Sequence, residues 1–169
     1  MLNPRLAGRY AKSLTDLALE NKQSDRIYDD VVFLQSVCNE SKELVSLLKS
    51  PVIQADKKLA VLEAITKGRV SELTTLFLRL LVKKGRENIL PQILQAAIEQ
   101  YKRYKDIHVV KLTTASEISN ELKESLLKKI KEETRYQNIE LEMEVKPEII
   151  GGFVLEVENS LIDASISYD

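Results

Sequence analysis

The apolar residues of the chain change their spacing once, close to Asp106, and this change limits the folds that the sequence can adopt. Before that point they recur about every 3.6 positions, which is the repeat of an amphipathic helix. After it they alternate with polar residues or form short continuous runs, as in strands. The sequence therefore predicts an α+β protein, with a helical domain at residues 1–105 and a small α/β domain at residues 106–169.

The first domain contains about six predicted helices, whose ends are marked by capping and breaking residues. The first runs from Pro4 to about Asn21, and the sixth runs from about Asn88 to Tyr104. Residues suited to the starts of the second to fifth helices are Ser24, Ser41, Asp56 and Ser71. Gly85 is expected just past the end of the fifth helix. Short connections favour an up-and-down bundle.

The second domain shows a β-α-β-β-β order. His108 to Thr114 is strand-like, Ser119 is suited to cap a charged helix, and apolar residues alternate with glutamates from Ile139 to Val145. That alternation predicts a half-buried strand with an acidic exposed side. Gly151 and Gly152 precede a hairpin whose turn falls at residues 158–160.

The charge is unevenly distributed between the two predicted domains. Residues 1–105 hold 18 Lys and Arg against 12 Asp and Glu, giving +6, whereas residues 106–169 hold 7 against 14, giving −7. This asymmetry fits two domains that face different partners, and it also fits two ordinarily charged surfaces. Both interpretations stay open at this point.

No catalytic, cofactor-binding or metal-ligating constellation is visible in the sequence. Cys38 and His108 are the only residues of their types, and neither has a clustered partner. No run approaches the roughly 18 apolar residues that a membrane span needs. The lysines at 57–58 and 83–84 are interpreted as exposed helix faces. The sequence therefore predicts a binding protein and not an enzyme.

Five short motifs occur along the chain in a characteristic order. They are Arg9-Tyr10-Ala11-Lys12, Ser50-Pro51, Gly85-Arg86, Pro147 with Ile149-Ile150-Gly151-Gly152, and Ile162-Asp163 with Ser165. In this order and spacing the chain resembles the delta subunit family of bacterial F-type ATP synthase, which includes the mitochondrial oligomycin-sensitivity-conferring protein. An RNA-binding adaptor with a KH-like α/β domain is the alternative, although a domain of net charge −7 would repel nucleic acid.

The resemblance implies a non-catalytic peripheral-stalk (stator) subunit, present in one copy per complex and without cofactors. Such a subunit links the alpha/beta catalytic head to the b-subunit stalk and resists rotor torque, so that proton transport is coupled to ATP synthesis. It is expected on the cytoplasmic face of the bacterial cell (inner) membrane, as a peripheral protein without a membrane span.

The resemblance also implies where the partners bind. The N-terminal helix of an alpha subunit is expected in a groove between the first and fifth helices, and the b-subunit stalk on the C-terminal domain. The expected alpha-binding residues are Ala7, Tyr10, Ala11, Leu14, Leu73, Leu76, Phe77 and Leu80. The structural motif of the C-terminal domain comprises Gly151, Gly152, Asp163 and Ser165.

Overall fold

The computed structural model describes residues 4–134, 136, 138–147, 153–157 and 160–163, with side chains described at all of these except 133, 134 and 160–163. The chain divides into two compact units, residues 1–101 and 102–169. The sequence pattern placed this division four residues later, after Lys105. Whether each unit folds independently stays a prediction.

The first unit is a helical bundle. Its helices are α1 (Pro4–Glu20), α2 (Ser24–Glu40), α3 (Lys42–Lys49), α4 (Ala55–Thr66), α5 (Glu72–Lys83) and α6 (Leu90–Tyr104), with one 3-10 turn at Glu87–Ile89. The last residues of α6 extend into the second unit. The predicted class of six helices followed by a small α/β portion is confirmed.

One apolar core holds the bundle together. All six helices contribute to it, and its least exposed members include Ala11, Leu14, Leu48, Leu62, Leu81, Leu90, Ile93 and Leu94. Removing such side chains from water is the main stabilising contribution to a fold of this kind. Apolar residues at the helical repeat of the sequence supply this core, because burial of one face is what that repeat reflects.

Serine caps begin three of the helices. The hydroxyl oxygens of Ser41 and Ser71 accept hydrogen bonds from the backbone three residues later, at 3.2 and 3.3 Å. Ser119 does the same for α7 at 3.3 Å. The predicted cap at Ser24 is wrong, because α2 begins with that residue and Gln23 precedes it without a side-chain cap.

Gly85 lies just past the end of α5, as predicted. Its φ of +63° lies in the left-handed range that glycine adopts at little cost. The next amide, from Arg86, donates back to the carbonyl of Leu81 at 2.8 Å, and this contact satisfies a carbonyl at the end of the helix.

The second unit contains β1 (Ile107–Thr114), α7 (Asn120–Thr134), β2 (Asn138–Val145), β3 (Phe153–Val157) and β4 (Ser160–Asp163). The sheet order is β2-β1-β3-β4; β1 and β2 pair in parallel, whereas the β1–β3 and β3–β4 pairs are antiparallel. The predicted β-α-β-β-β order is therefore confirmed. Gly151, Gly152 and Ser165 lie outside the described residues, and Asp163 is the last residue of β4, opposite Val154.

Burial along β2 departs from the predicted alternation. Ile139 and Leu141 are half-buried against the small core, but Met143 and Val145 keep 50% and 46% of their surface exposed. The strand lies at the edge of the sheet, where fewer neighbours cover it. On the opposite face Glu144 is not fully exposed, because it pairs with Lys111 at 2.8 Å.

Candidate functional site

The predicted alpha-binding residues divide into buried and accessible groups. Ala7, Ala11 and Leu14 are 2%, 0% and 1% exposed, and Phe77 is 7% exposed. All four belong to the bundle's own core. They are covered by the bundle's own packing in this structure, and their contact with the alpha subunit stays a prediction. Their small or apolar side chains serve the close packing of helices within the chain.

The accessible group lies on α5. Leu76 and Leu80 keep 52% and 43% of their surface exposed, while Leu73 is half-buried against the core. Their spacing of three and four residues places them in one row along the helix. We call Leu73, Leu76 and Leu80 the α5 strip. On α1, Tyr10 is half-buried, and it also packs against the core.

A buried carboxylate holds the beginning of α5. Asp30 on α2 is 2% exposed, and its Oδ2 accepts hydrogen bonds from the Ser71 amide at 2.8 Å and the Thr74 hydroxyl at 2.7 Å. The Arg26 guanidinium lies 3.4 Å from the other carboxylate oxygen. A negative charge at a helix N-terminus is stabilising. Asp30 thus fixes α5 on α2, and the sequence analysis did not identify it.

A buried ion pair connects α4 with the 3-10 turn that follows α5. The ammonium group of Lys58 lies 2.8 Å from Glu87 Oε1 and donates to the Leu48 carbonyl at 2.9 Å. Lys58 is only 5% exposed, so the interpretation of this lysine as part of a solvated helix face is wrong. The other oxygen of Glu87 is buried without a hydrogen-bond partner in the described part of the chain.

Polar contacts join α6 to the first two helices. The Gln100 amide donates to the Gly8 carbonyl at 3.1 Å. The Tyr101 ring stacks on Tyr28 with 4.0 Å between ring centroids, and its hydroxyl donates to Asp25 at 2.5 Å. Burial and the Asp25 carboxylate both raise the pKa of Tyr101. These contacts fix the end of the bundle.

The described residues can be compared with the requirements of a metal site, a reactive thiol and a membrane span. They contain no cluster of three or more His, Cys, Asp or Glu side chains that would hold a metal ion. Burial raises the pKa of the Cys38 thiol, which disfavours the reactive thiolate. None of the helices in the described ranges is long and apolar enough to cross a membrane.

Comparison with known proteins identifies the family. A family model described as "ATP synthase delta (OSCP) subunit" matches residues 6–169. Among similar relatives, the ATP synthase subunit delta of Cytophaga hutchinsonii is 37% identical over 166 residues, which cover 98% of this chain and 90% of the relative. The chain belongs to the ATP synthase delta (OSCP) subunit family. The subunit delta of Lachnoclostridium phytofermentans is 35% identical over 93% of this chain and 86% of its own.

The fold is also found in a solved structure. A chain of the Toxoplasma gondii mitochondrial ATP synthase hexamer, determined by cryo-EM, superimposes with a TM-score of 0.75. The match covers 95% of this chain and 91% of the other at 21% identity, so it shows the shared fold. Membership of the delta family confirms the predicted class of non-catalytic ATP synthase subunit, and the RNA-binding alternative is set aside.

Proposed function

We propose that this chain is the stator subunit that joins the catalytic head of a bacterial F-type ATP synthase to its b-subunit stalk, at the cytoplasmic face of the cell membrane. In this role the N-terminal bundle binds the N-terminal helix of an alpha subunit, and the C-terminal unit binds the stalk. The subunit transmits no protons and performs no chemistry. It prevents the head from turning with the rotor.

The observation that carries this proposal for the bundle is the α5 strip. Leu76 and Leu80 are the two exposed leucines of a helix that is otherwise anchored by buried residues, and they lie one turn apart. An amphipathic helix binds such a row through apolar anchors at matching spacing. Asp30 and the Lys58–Glu87 pair hold the two ends of this region, so the strip belongs to a rigid helix.

We therefore place the alpha-subunit contact on the α5 strip and not in the groove between the first and fifth helices that the resemblance implied. Tyr10 remains a candidate at the margin because it is half-buried, but Ala11 is fully buried. An Ala11→Arg substitution would place a charge in the core and unfold the bundle, so it cannot report on binding. Substitutions of the exposed Leu76 and Leu80 can report on binding.

The test is the affinity of the full chain for a peptide with the sequence of the alpha-subunit N-terminus. We expect the double substitution Leu76→Asp and Leu80→Asp to weaken binding by about 2–4 kcal/mol, since central apolar anchors carry most of the energy of an interface. Fluorescence anisotropy with a labelled peptide measures the effect. The melting temperature should change little, because both side chains are already exposed.

Val32→Asp is the matched control. Val32 lies on α2 and is 40% exposed, so the same substitution there introduces a charge at comparable exposure away from the strip. The Val32→Asp variant should bind the alpha-subunit peptide with the affinity of the unmodified chain. Unchanged peptide binding by the double variant, with the fold intact, would show that α5 is not the alpha-binding helix.

The proposal for the C-terminal unit rests on family membership and on the exposed surface of strand β2. Its exposed apolar residues Met143 and Val145 lie on edge strand β2, whose other face carries Glu140 and Glu142. Edge strands with uncovered apolar residues are common binding surfaces. Purification of the complex from native membranes should recover alpha, beta and b subunits with this chain, and loss of only b from a Met143→Asp variant would support the assignment.

A further inference from the structure

A basic cavity lies beside the first turns of α1. Its volume is about 650 Å³, and it is lined by Arg5, Leu6, Gly8, Arg9, Lys12 and Gln100. No acidic side chain is among these lining residues. All of them belong to the first unit, and none belongs to the α5 strip. The lining also lacks Tyr10, so the cavity lies outside the residues that we propose for the alpha-subunit contact.

The three cations of the lining form a row along α1. Arg5, Arg9 and Lys12 are spaced by four and three residues, which places them on one side of the helix over about 10 Å. Of these three cations, only Lys12 has an ion pair in the described part of the chain. Its partner is Asp16 at 3.5 Å, and both side chains are largely exposed. Arg5 and Arg9 have none there. The row attracts negative charge.

Gly8 gives a second and independent indication. It lies inside α1, where glycine is less stable than alanine, and its φ is not in the left-handed range. A Cβ built on Gly8 meets no atom of this chain within 4 Å. Packing within the chain therefore does not require glycine at this position. A bare backbone here permits another chain to approach closely.

The shape of the site selects the occupant. A cavity of this volume is larger than a single phosphate group, and the charges extend along the helix instead of converging on one point. One N–H of the Gln100 amide is engaged by the Gly8 carbonyl, so this side chain has at most one further N–H for a compact anion. The lining residues include no aromatic ring on which a nucleic acid base would stack.

We propose that this cavity is a docking site for an acidic helical segment of a partner protein, whose carboxylates repeat every three or four residues. Its carboxylates pair with Arg5, Arg9 and Lys12, and its backbone passes over Gly8. Arginine suits such contacts, because its planar guanidinium binds a carboxylate through two parallel hydrogen bonds.

The experiment uses the full chain and two synthetic helical peptides of identical composition. In the first, glutamates stand at positions i, i+4 and i+7, so that they form one row; in the second, the same glutamates are spread around the helix. We expect the first peptide to bind at least about tenfold more tightly, with affinity falling as salt rises. Equal affinity for the two peptides would overturn the proposal.

Two variants locate the binding. Arg5→Glu with Arg9→Glu should abolish the preference for the first peptide, while acidic residues in the first turns of a helix keep α1 stable. Gly8→Leu should also abolish binding, with the melting temperature kept, because the new side chain enters open space. The control reverses the same number of exposed charges through Lys57→Glu with Lys67→Glu. Peptide binding should be unchanged in that control.

Competition separates the remaining occupants. Inorganic phosphate at millimolar concentration and a single-stranded oligonucleotide should each fail to displace the first peptide at constant ionic strength. Displacement by either would assign the cavity to that anion and overturn the proposal. Loss of peptide binding in the Lys57 and Lys67 control would likewise overturn it, since binding would then follow net charge alone.

Discussion

At the scale of single residues, the buried Lys58–Glu87 pair joins α4 to the 3-10 turn that follows α5. The ammonium group has two oxygen partners, but one oxygen of Glu87 has none among the described residues. A buried pair of this kind contributes little net stability over an apolar replacement, yet removal of one partner leaves an uncompensated charge.

We therefore expect Lys58→Met to lower the free energy of unfolding by about 3–5 kcal/mol, since Glu87 is then buried alone. The double change Lys58→Met with Glu87→Leu should recover most of that loss. Urea denaturation of the three proteins measures both effects. The exposed pair of Arg79 and Glu63, at 2.7 Å, is the control, and Arg79→Met should cost less than about 1 kcal/mol. Equal losses at the two pairs would contradict this account.

Tyr101 leads to a prediction on alkaline stability. Its pKa is raised above the ordinary value of 10.0, first by burial and then by the hydrogen bond to Asp25. The folded state therefore holds the phenolic proton more tightly than the unfolded state. The resulting stability is fully present below a pH of about 10 and is lost as the pH rises above it.

Comparison with Tyr101→Phe isolates this contribution from those of the other tyrosines. The variant keeps a ring that can stack on Tyr28, but it has no proton to lose. Between pH 9 and about 11 the unfolding free energy of the unmodified chain should fall more steeply than that of the variant. Parallel pH profiles from urea titrations would show that Tyr101 does not contribute in this way.

At the scale of the helices and strands, α5 depends on a cap that comes from another helix. Asp30 is 41 residues from Ser71, yet its carboxylate accepts from the Ser71 amide. We expect Asp30→Ala to cost about 2–3 kcal/mol, because it removes hydrogen bonds to a charged group at a buried helix end. Hydrogen exchange at residues 71–75 should accelerate more than exchange in α3. Asp29→Ala, at the exposed neighbouring position, is the control and should change neither measurement.

The separation of two partners along the chain explains which contacts of the helices could be predicted from the sequence. The caps at Ser41, Ser71 and Ser119 act over three residues, so a local pattern predicted them. Asp30 is 41 residues from its partner Ser71, and Lys58 is 29 residues from Glu87. No local sequence pattern predicts either contact. Only the fold brings them to their places.

The candidate site was partly predictable for a related reason. Helical periodicity identifies apolar positions but does not say which of them neighbouring helices will cover. Ala11 and Leu76 both belonged to the predicted set, and the bundle buries the first completely while leaving half of the second exposed. The basic row of Arg5, Arg9 and Lys12 was present in the sequence, but the cavity beside it depends on Gln100 of α6.

At the scale of the whole molecule, the question is whether the two units can be separated. The first has its own core and ends at residue 101, and α6 continues to Tyr104. Tyr101 ties the last turns of α6 to α2, so a fragment that kept this residue would retain its anchor. Asp106, directly before β1, has a φ of +52°, which marks a turn between α6 and the strand.

We expect a fragment of residues 1–105 to fold alone and to bind the alpha-subunit peptide with the affinity of the full chain, since it contains the bundle core and the α5 strip. The fragment of residues 106–169 should be less stable, because its small sheet is covered by one helix and its core has few buried residues. Limited proteolysis followed by mass spectrometry should first cut near residues 105–107 and leave a resistant bundle. Calorimetry of the full chain should then show two transitions, the second of which matches the isolated bundle. A single cooperative transition, or first cuts inside α1 to α5, would mean that the units stabilise each other and that the charges of +6 and −7 belong to one folding unit.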